Sequence, residues 1–134
     1  MLTIAIIDKY PMIRKGLKYY FHDHFDEVNV LEADSVTSFR NLYPLQNPDL
    51  TILGSNNHSD TKSMDLINQL KKLYSGSKII IYDEQSNTDQ TNISRDLLYL
   101  TAGVNGYLSK QSSAVQMMDC VKMVLKTKTM HFFE

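Results

Sequence analysis

Five short apolar runs alternate with longer segments of helical period, and this alternation restricts the fold more than any other feature of the chain. The runs are LTIAII (2–7), VNVLEA (28–33), DLTIL (49–53), KIIIY (78–82) and GYLS (106–109). Short runs rich in Ile and Val, bounded by Asp, Asn, Gly or Pro, are typical of β-strands. The first and fourth runs are apolar nearly throughout, as is expected of strands buried on both faces.

The segments between the runs carry apolar residues at spacings of one, three and four, which predicts amphipathic helices. Pro11 suits the first turn of one helix, and Ser35 or Thr37 can cap the next. A third helix should end before SGS (75–77), a fourth near Gly103, and the last should begin near Ser113. The apolar positions are Met12, Ile13, Leu17, Tyr20 and Phe21; Val36, Phe39, Leu42 and Tyr43; Met64, Ile67, Leu70 and Tyr74; Ile93, Leu97 and Leu100; and Ala114, Met118, Val121 and Leu125.

Five strand–helix repeats require crossover connections, and these predict an α/β domain with a parallel sheet covered on both faces. In such sheets a ligand binds outside the carboxyl ends of the strands, near the switch in strand order. The residues to examine for function are therefore those that follow the strands. They are Asp8, Lys9, Gly54, Asp83 and Lys110.

Composition limits the other possibilities. A chain of 134 residues is long enough for one domain with a full core. The net charge of −1 gives no strong field for nucleic acid or an anionic membrane. The apolar start is too short for a signal peptide, and no apolar run approaches the length of a membrane span. We expect a single cytoplasmic domain without membrane contact.

Three segments resemble response-regulator receiver domains (CheY-like), in particular the NarL/FixJ type that precedes a LuxR-type DNA-binding domain. They are IAIIDKYPMIRKGLKYYF (4–21), PDLTIL (48–53) and AGVNGYLSKQSS (102–113). The resemblance covers essentially the whole chain. It implies a three-layer, doubly wound, flavodoxin-like sheet of five parallel strands in the order 2-1-3-4-5. It also implies one receiver-like domain over 1–134, with a core to about 127 and the start of a linker at 128–134.

The resemblance assigns roles to the residues after the first and third strands, and here the chain departs from the family. A working receiver holds Mg²⁺ with an acidic pair after the first strand and with the acceptor aspartate after the third. Asp8 retains the first acidic position, but Lys9 stands at the second. Gly54 stands at the acceptor position, and SNNHSD (55–60) replaces the usual Met-Pro that follows it.

The positions after the fourth strand and around the fifth match in part. The family places a Ser or Thr after the fourth strand, where this chain has Asp83. Lys110 matches the lysine that contacts the phosphoryl group, and Tyr107 matches the aromatic residue whose rotation reports activation. The stretch from Asp83 to Gly103 is a few residues longer than usual, which predicts a remodelled fourth helix or approach to it.

These departures remove the chemistry of the family. Glycine offers no oxygen to phosphorylate, and Mg²⁺ requires several hard oxygen ligands. We therefore expect no catalytic residues, no metal, no cofactor and no enzymatic activity. Without a phosphoryl group Lys110 needs another anion, and our hypothesis is a permanent, neutral network of two acids and two lysines. Its members are Asp8, Lys9, Asp83 and Lys110.

Three other interpretations are less consistent with the sequence. A conventional phospho-accepting receiver would need an unrecognised acceptor, for which Asp49 and Asp60 are the nearby candidates. Asp49 begins its strand and Asp60 lies six residues beyond Gly54, so both are poorly placed. A phosphatase with Asp8 as nucleophile would carry a second Asp two residues on, where Tyr10 stands. Modification of Ser55 by a kinase has no support beyond the presence of a serine.

An interaction role remains. In the family, the face formed by the fourth helix, fifth strand and fifth helix commonly mediates dimerisation or contact with an output domain, and we expect the same face to act here. The chain ends in KTKTMHFFE (126–134), near where a linker to a helix-turn-helix would begin. We favour a receiver excised from a longer transcription factor over a stand-alone pseudo-receiver. DNA binding would then require a C-terminal domain absent from this chain.

Overall fold

Six parallel strands form one sheet in the part of the chain that the computed structural model describes, which comprises residues 1–55, 60–84, 99, 101–126 and 131–133. The strands are β1 (Leu2–Ile7), β2 (Val28–Ala33), β3 (Leu50–Ser55), β4 (Lys78–Asp83), β5 (Gly106–Ser109) and β6 (His131–Phe133). The helices are α1 (Pro11–His24), α2 (Val36–Leu42), α3 (Asp60–Leu73) and α4 (Ala114–Lys126). The strand order is β2-β1-β3-β4-β5-β6, so the predicted order of the first five strands is confirmed.

Two differences from the predicted elements bear on the site. The third and fourth strands extend further than the apolar runs, so Gly54 and Asp83 lie within the last residues of β3 and β4. There Gly54 pairs with Tyr82, and Ser55 pairs with Asp83. The sequence pattern also did not predict β6, which adds a strand beyond β5 within the segment assigned to the start of a linker.

The helix boundaries follow from local chemistry. Pro11 opens α1 after an extended Tyr10. The side chain of Ser35 caps α2, since Ser35 Oγ accepts a hydrogen bond from the Ser38 N–H at 3.1 Å. A capping box opens α4: the Gln116 N–H donates to Ser113 Oγ at 3.1 Å, and the Ser113 N–H donates to Gln116 Oε1 at 2.9 Å.

The predicted fourth helix lies largely outside the described residues, and so do Ile93, Leu97 and Leu100. Tyr99 and residues 101–102 are helical, and Gly103 follows with a φ of 83°. This left-handed conformation strains any residue with a Cβ, so glycine suits the end of a helix at this position. The predicted end near Gly103 is confirmed.

Two apolar cores lie on opposite faces of the sheet, as the three-layer prediction requires. One core joins the sheet to α1 and α4, and the other joins it to α2 and α3. Strand β1 shows how one sequence serves both: Ile4 and Ile6 enter the first core, while Ala5 and Ile7 enter the second. The whole run is therefore apolar because both of its faces are buried. Among the described residues, no helix has the length and apolar character needed to cross a bilayer.

Candidate functional site

Asp8 is buried at the carboxyl edge of the sheet and is held from several sides. It follows β1 directly and is 3% exposed. Its Oδ1 accepts a hydrogen bond from the Tyr10 N–H at 2.8 Å, and its carbonyl oxygen accepts one from Arg14 Nη1 at 2.8 Å. Its own N–H donates to the carbonyl oxygen of Ala33 in the neighbouring β2 at 3.1 Å. Backbone and side chain together therefore fix the direction of this carboxylate.

Lys110 forms a buried ion pair with Asp8. Lys110 Nζ lies 2.8 Å from Asp8 Oδ2, and the two side chains are only 8% and 2% exposed. The contact is electrostatic in character, because neither atom makes a hydrogen bond of good angular geometry within the described residues. Removing one partner from such a pair leaves an uncompensated buried charge, which costs about 3–5 kcal/mol. The pair therefore holds the end of β1 to the end of β5.

The carboxylate of Asp8 occupies the space that a side chain at position 54 would need. A Cβ added to Gly54 would overlap Asp8 Oδ2 and would lie 2.6 Å from Asp8 Cγ and 3.0 Å from Asp8 Cβ. Cβ atoms in real structures essentially never lie within 3.0 Å of a heavy atom outside their own residue and its chain neighbours. Asp8 can hold this position only because residue 54 has no side chain.

Two tyrosine rings surround the ammonium group of Lys110. Lys110 Nζ lies 5.2 Å from the ring centroid of Tyr10 and 5.9 Å from that of Tyr82. Both distances are within the range of cation–π attraction. Burial raises the pKa of the Tyr82 phenol, and the negative charge of Asp8 raises it further. Tyr82 therefore stays neutral and covers the ion pair from the side of the first core.

Lys9 lies outside this pair. Its side chain is exposed, and Lys9 Nζ lies over the ring of Tyr10 at 4.9 Å from the centroid. The Tyr10 ring is thus in contact with two ammonium groups, those of Lys9 and Lys110. The positive charge of Lys9 is therefore accommodated by solvent and an aromatic ring.

Asp83 binds a different partner from the one predicted. It is 0% exposed, and Asp83 Oδ2 accepts a hydrogen bond from the Tyr107 hydroxyl at 2.7 Å. Tyr107 is also 0% exposed, and its ring centroid lies 5.6 Å from that of Tyr99. The carbonyl oxygen of Asp83 accepts a hydrogen bond from the backbone N–H of Lys110 at 2.6 Å. The inward orientation of Tyr107 is thus fixed at both its hydroxyl and its ring.

The structure therefore brings the four predicted network residues together only in part. Asp8 and Lys110 pair as predicted, whereas Asp83 turns to Tyr107 and Lys9 remains exposed. The reason is strand alternation, since neighbouring residues of a strand point to opposite faces. Tyr82 packs in the core under α1 and α4, so Asp83 faces the other core, where Tyr107 lies.

A second charged cluster extends from the site to β2 and was missed from the sequence. Arg14, which binds the carbonyl of Asp8, also donates from Nε to Glu32 Oε1 at 3.0 Å. Lys15 Nζ lies 2.9 Å and Lys18 Nζ 4.0 Å from Glu32 Oε2. The helical spacing of these basic residues on α1 was visible, but the position of Glu32 opposite them depends on strand register. Arg14 thereby connects α1 to β1 and β2.

The residues at this edge do not fit the Mg²⁺ ion that working receivers hold. Asp8 Oδ1 is engaged by a backbone N–H, and Oδ2 is paired with Lys110. Lys9 and Gly54 supply no carboxylate, and Asp83 Oδ2 accepts from Tyr107. Within residues 1–55, 60–84, 99, 101–126 and 131–133, no group of three His, Cys, Asp or Glu side chains could hold a metal ion.

The predicted interaction face is altered by β6. Strand β6 pairs with the edge of β5 that this face would present, and it packs against α4. The helical part of the predicted face, before residue 99, lies outside the described residues. The edge of β5 is therefore covered by a strand of the same chain.

Solved receiver domains have the same fold. A LuxR family DNA-binding response regulator from Silicibacter pomeroyi has a TM-score of 0.79 at 18% identity, over 99% of this chain and 97% of that one. A response regulator from Thermotoga maritima has a TM-score of 0.76 at 16% identity, over 95% and 99%. RcsB, in a structure of two dimers bound to two parallel DNAs, has a TM-score of 0.79 at 19% identity, over 97% and 63%.

The chain has the CheY-like receiver fold that the sequence resemblance implied. Neighbours with this fold include LuxR-family regulators. No model of a known protein family matches the chain, and no curated protein matches it. The likeness is therefore one of fold at low sequence identity.

Proposed function

We propose that this chain is an atypical receiver domain, a pseudo-receiver, of a LuxR-type two-component transcriptional regulator, and that it acts through protein–protein contacts without phosphorylation. The observation that carries the proposal is the position of Asp8. Its carboxylate fills the space beside Gly54 where an acceptor side chain would begin, and it pairs there with Lys110. The lysine that would contact a phosphoryl group in a working receiver is thus already paired with a carboxylate of the same chain.

Electrostatics support this proposal. A phosphoryl group adds about −1.5 to −2 charges, which a lysine at position 110 would help to neutralise. Here the single carboxylate of Asp8 already compensates Lys110, and both side chains are at least nine-tenths buried. Because separating a buried pair is costly, the pair favours one fixed arrangement of the β1 and β5 ends.

The position of Tyr107 supports the same proposal. In receivers the rotation of this aromatic residue reports activation. In this chain the Tyr107 hydroxyl donates to Asp83 Oδ2 at 2.7 Å, and the side chain is fully buried. Asp83 stands where a Ser or Thr would respond to a phosphoryl group, and it supplies a constant acceptor instead. We infer that Tyr107 stays inward whatever the phosphorylation conditions.

The output of such a domain is contact with another protein surface. RcsB has been solved as dimers bound to DNA, which supports dimerisation or contact with an output domain as the role of this chain as well. In this proposal DNA is bound only by a C-terminal domain outside the chain, and the protein acts in the cytoplasm. The domain itself has no enzymatic activity and uses no cofactor.

The alternative of a conventional receiver gains nothing from the position of Asp49. Asp49 lies at the amino end of β3, where its Oδ2 accepts a hydrogen bond from the Thr3 N–H at 2.8 Å. That edge is opposite to the one that holds Lys110. Asp60 is the first residue of α3.

Incubation with acetyl phosphate and Mg²⁺, followed by intact-mass measurement, tests the proposal. We expect no mass increase, because residue 54 has no side-chain oxygen and Asp8 is engaged by Lys110. A receiver domain with its acceptor aspartate, treated in parallel, controls for the activity of the reagent. A phosphoryl adduct that fragmentation assigns to an aspartate of this chain would refute the proposal and support the conventional alternative.

A further inference from the structure

A groove between α1 and the start of α4 lies beside the buried ion pair. Its volume is about 350 Å³, within the range of about 300–1,000 Å³ that is typical of small-molecule sites. We call it the α1–α4 groove, and the residues that define it here are Gly16, Leu17, Tyr20, Tyr82, Ser112 and Met117. The ring of Tyr82 also lies 5.9 Å from Lys110 Nζ, so the groove and the ion pair share one side chain.

The lining of the α1–α4 groove is aromatic and apolar. Among the described residues that line it, none is Asp, Glu, Lys, Arg or His. Tyr20 of α1 and Tyr82 of β4 supply aromatic rings, and Met117 of α4 supplies a thioether, a group that packs well against an aromatic ring. A charged ligand would lose its hydration here without gaining an opposite charge. The lining therefore favours a neutral aromatic occupant.

Ser112 gives this lining a polar group whose hydrogen-bonding capacity is not used. Its Oγ is buried and makes no hydrogen bond within the part of the chain that the structure describes. A buried hydroxyl without a partner destabilises a fold, and such groups are uncommon in native proteins. Because a hydroxyl can both donate and accept, a carbonyl or hydroxyl group on a ligand would satisfy it.

Helix α1 leaves the groove accessible. Gly16 lines it without a side chain, and a Cβ added there would meet no atom within 4 Å, so no packing contact within the described chain requires a glycine. Met12 and Tyr19 also line the groove and are 86% and 76% exposed. Burial of such large side chains against a ligand would favour binding through the hydrophobic effect.

We propose that the α1–α4 groove binds a small neutral aromatic molecule that carries a carbonyl or hydroxyl group. The ring packs against the tyrosines and Met117, and the polar group forms a hydrogen bond with Ser112. Through Tyr82 the ligand lies next to the ion pair that holds the end of β1 to the end of β5. The inference goes beyond the proposed function and does not depend on it, so a phosphoryl adduct in the acetyl phosphate experiment would leave it as it stands.

Titration of the isotope-labelled 134-residue chain with acetophenone, followed by NMR, tests the proposal. Acetophenone supplies one neutral ring and one carbonyl group, and benzoate is a control compound of similar size that carries a charge. For acetophenone we expect a dissociation constant on the order of 1 mM, with shifted signals confined to α1, the start of α4 and Tyr82. Benzoate should bind about tenfold more weakly or less, because the lining offers its charge no partner.

Two variants locate the binding. Gly16→Leu should fold normally, since its Cβ meets open space and Leu is a good helix former, but its side chain should narrow the groove and remove acetophenone binding. His22→Leu, at an exposed position of α1 outside the groove, is the matched control and should bind normally. Ser112→Ala should weaken binding by about three- to tenfold through loss of one hydrogen bond, without lowering the stability of the chain.

Three results would refute the proposal. The first is the absence of shifts at the groove when acetophenone reaches about ten times the expected dissociation constant. The second is equal binding by the Gly16→Leu and His22→Leu variants, or equal binding of acetophenone and benzoate. The third is a shift of the same signals when the protein concentration is raised without a ligand, since a second copy of the chain would then cover the groove.

Discussion

Asp8 and Gly54 form a complementary pair of residues at the carboxyl edge of the sheet. The glycine leaves space at the end of β3, and the carboxylate from the end of β1 enters that space to reach Lys110. The carboxylate that pairs with Lys110 therefore comes from the end of β1 and not from the end of β3.

Moving the carboxylate from position 8 to position 54 tests this complementarity. Asp8→Ala should lower the free energy of unfolding by about 3–5 kcal/mol, because Lys110 is left buried and unpaired. Gly54→Asp should also destabilise, because its Cβ overlaps the Asp8 carboxylate. The double variant Asp8→Ala/Gly54→Asp should lose clearly less than the sum of the two, since one carboxylate again faces Lys110. Chemical denaturation measures all three.

Lys122→Ala is the matched control for charge removal at this scale, because Lys122 is exposed on α4. It should change stability by less than about 0.5 kcal/mol. If the changes in the free energy of unfolding caused by the Asp8 and Gly54 substitutions were strictly additive, this would contradict the view that the two side chains compete for one space.

Side-chain contacts were predicted correctly from the sequence where the residues follow the ends of strands, because the strand ends define where those residues lie. Asp8 and Lys110 were paired correctly, because both follow strands that meet at one edge. The pairing of Asp83 with Tyr107 was not predicted, although the alternation of Tyr82 and Asp83 in β4 contained the signal. The positions of the Tyr10 and Tyr82 rings around Lys110 depend on side-chain packing, which the spacing of residues does not encode.

At the scale of elements, α1 contains a glycine with no packing role. Gly16 lies in the interior of the helix, and a Cβ added there would meet no atom within 4 Å. Glycine in a helix interior is destabilising by about 0.5–1 kcal/mol relative to alanine. We therefore expect Gly16→Ala to raise the free energy of unfolding by about that amount, as measured by urea denaturation.

The same substitution in β5 should have the opposite effect and provides the contrast. A Cβ added to Gly106 would lie 3.0 Å from Val124 Cγ2, 3.2 Å from Cys120 Sγ and 3.2 Å from Ile80 Cγ1. Overpacking of this kind typically costs about 1–3 kcal/mol. If Gly16→Ala and Gly106→Ala changed the free energy of unfolding equally, helix propensity and packing space would not account for the effects of these substitutions.

The elements themselves were largely predictable because each apolar run has the length of a strand and each intervening stripe has the period of a helix. The predicted ends of β3 and β4 came too early in the chain, because Gly54 and Asp83 do not continue the apolar pattern. Both residues nevertheless take part in the pairing of β3 with β4. Strand β6 has only three residues, too few to show alternation, so pairing with β5 and contact with α4 define it instead.

For the whole molecule, one charged cluster joins the first helix to the first two strands. Glu32 is 11% exposed and receives Arg14 at 3.0 Å and Lys15 at 2.9 Å. Burial raises the pKa of Glu32, but the hydrogen bonds and positive charges of Lys15 and Arg14 outweigh burial and place the pKa below its ordinary value of 4.5. Hydrogen bonds from Ser38 and Ser35 likewise lower the pKa of Asp34.

These shifts predict how the stability of the folded chain depends on pH. A carboxyl group whose pKa is lower in the folded than in the unfolded state stabilises the fold above its unfolded pKa, and this contribution is lost as the pH falls through the folded pKa. Glu32→Gln should therefore lower the free energy of unfolding at neutral pH, and the difference from the unaltered chain should shrink as the pH falls below 4.5. Urea titrations across this interval measure the difference, with Glu27→Gln, an exposed glutamate just before β2, as the control. A difference that stays constant into strong acid would mean that Glu32 stabilises the fold by packing alone, and that the basic residues of α1 do not hold it through charge.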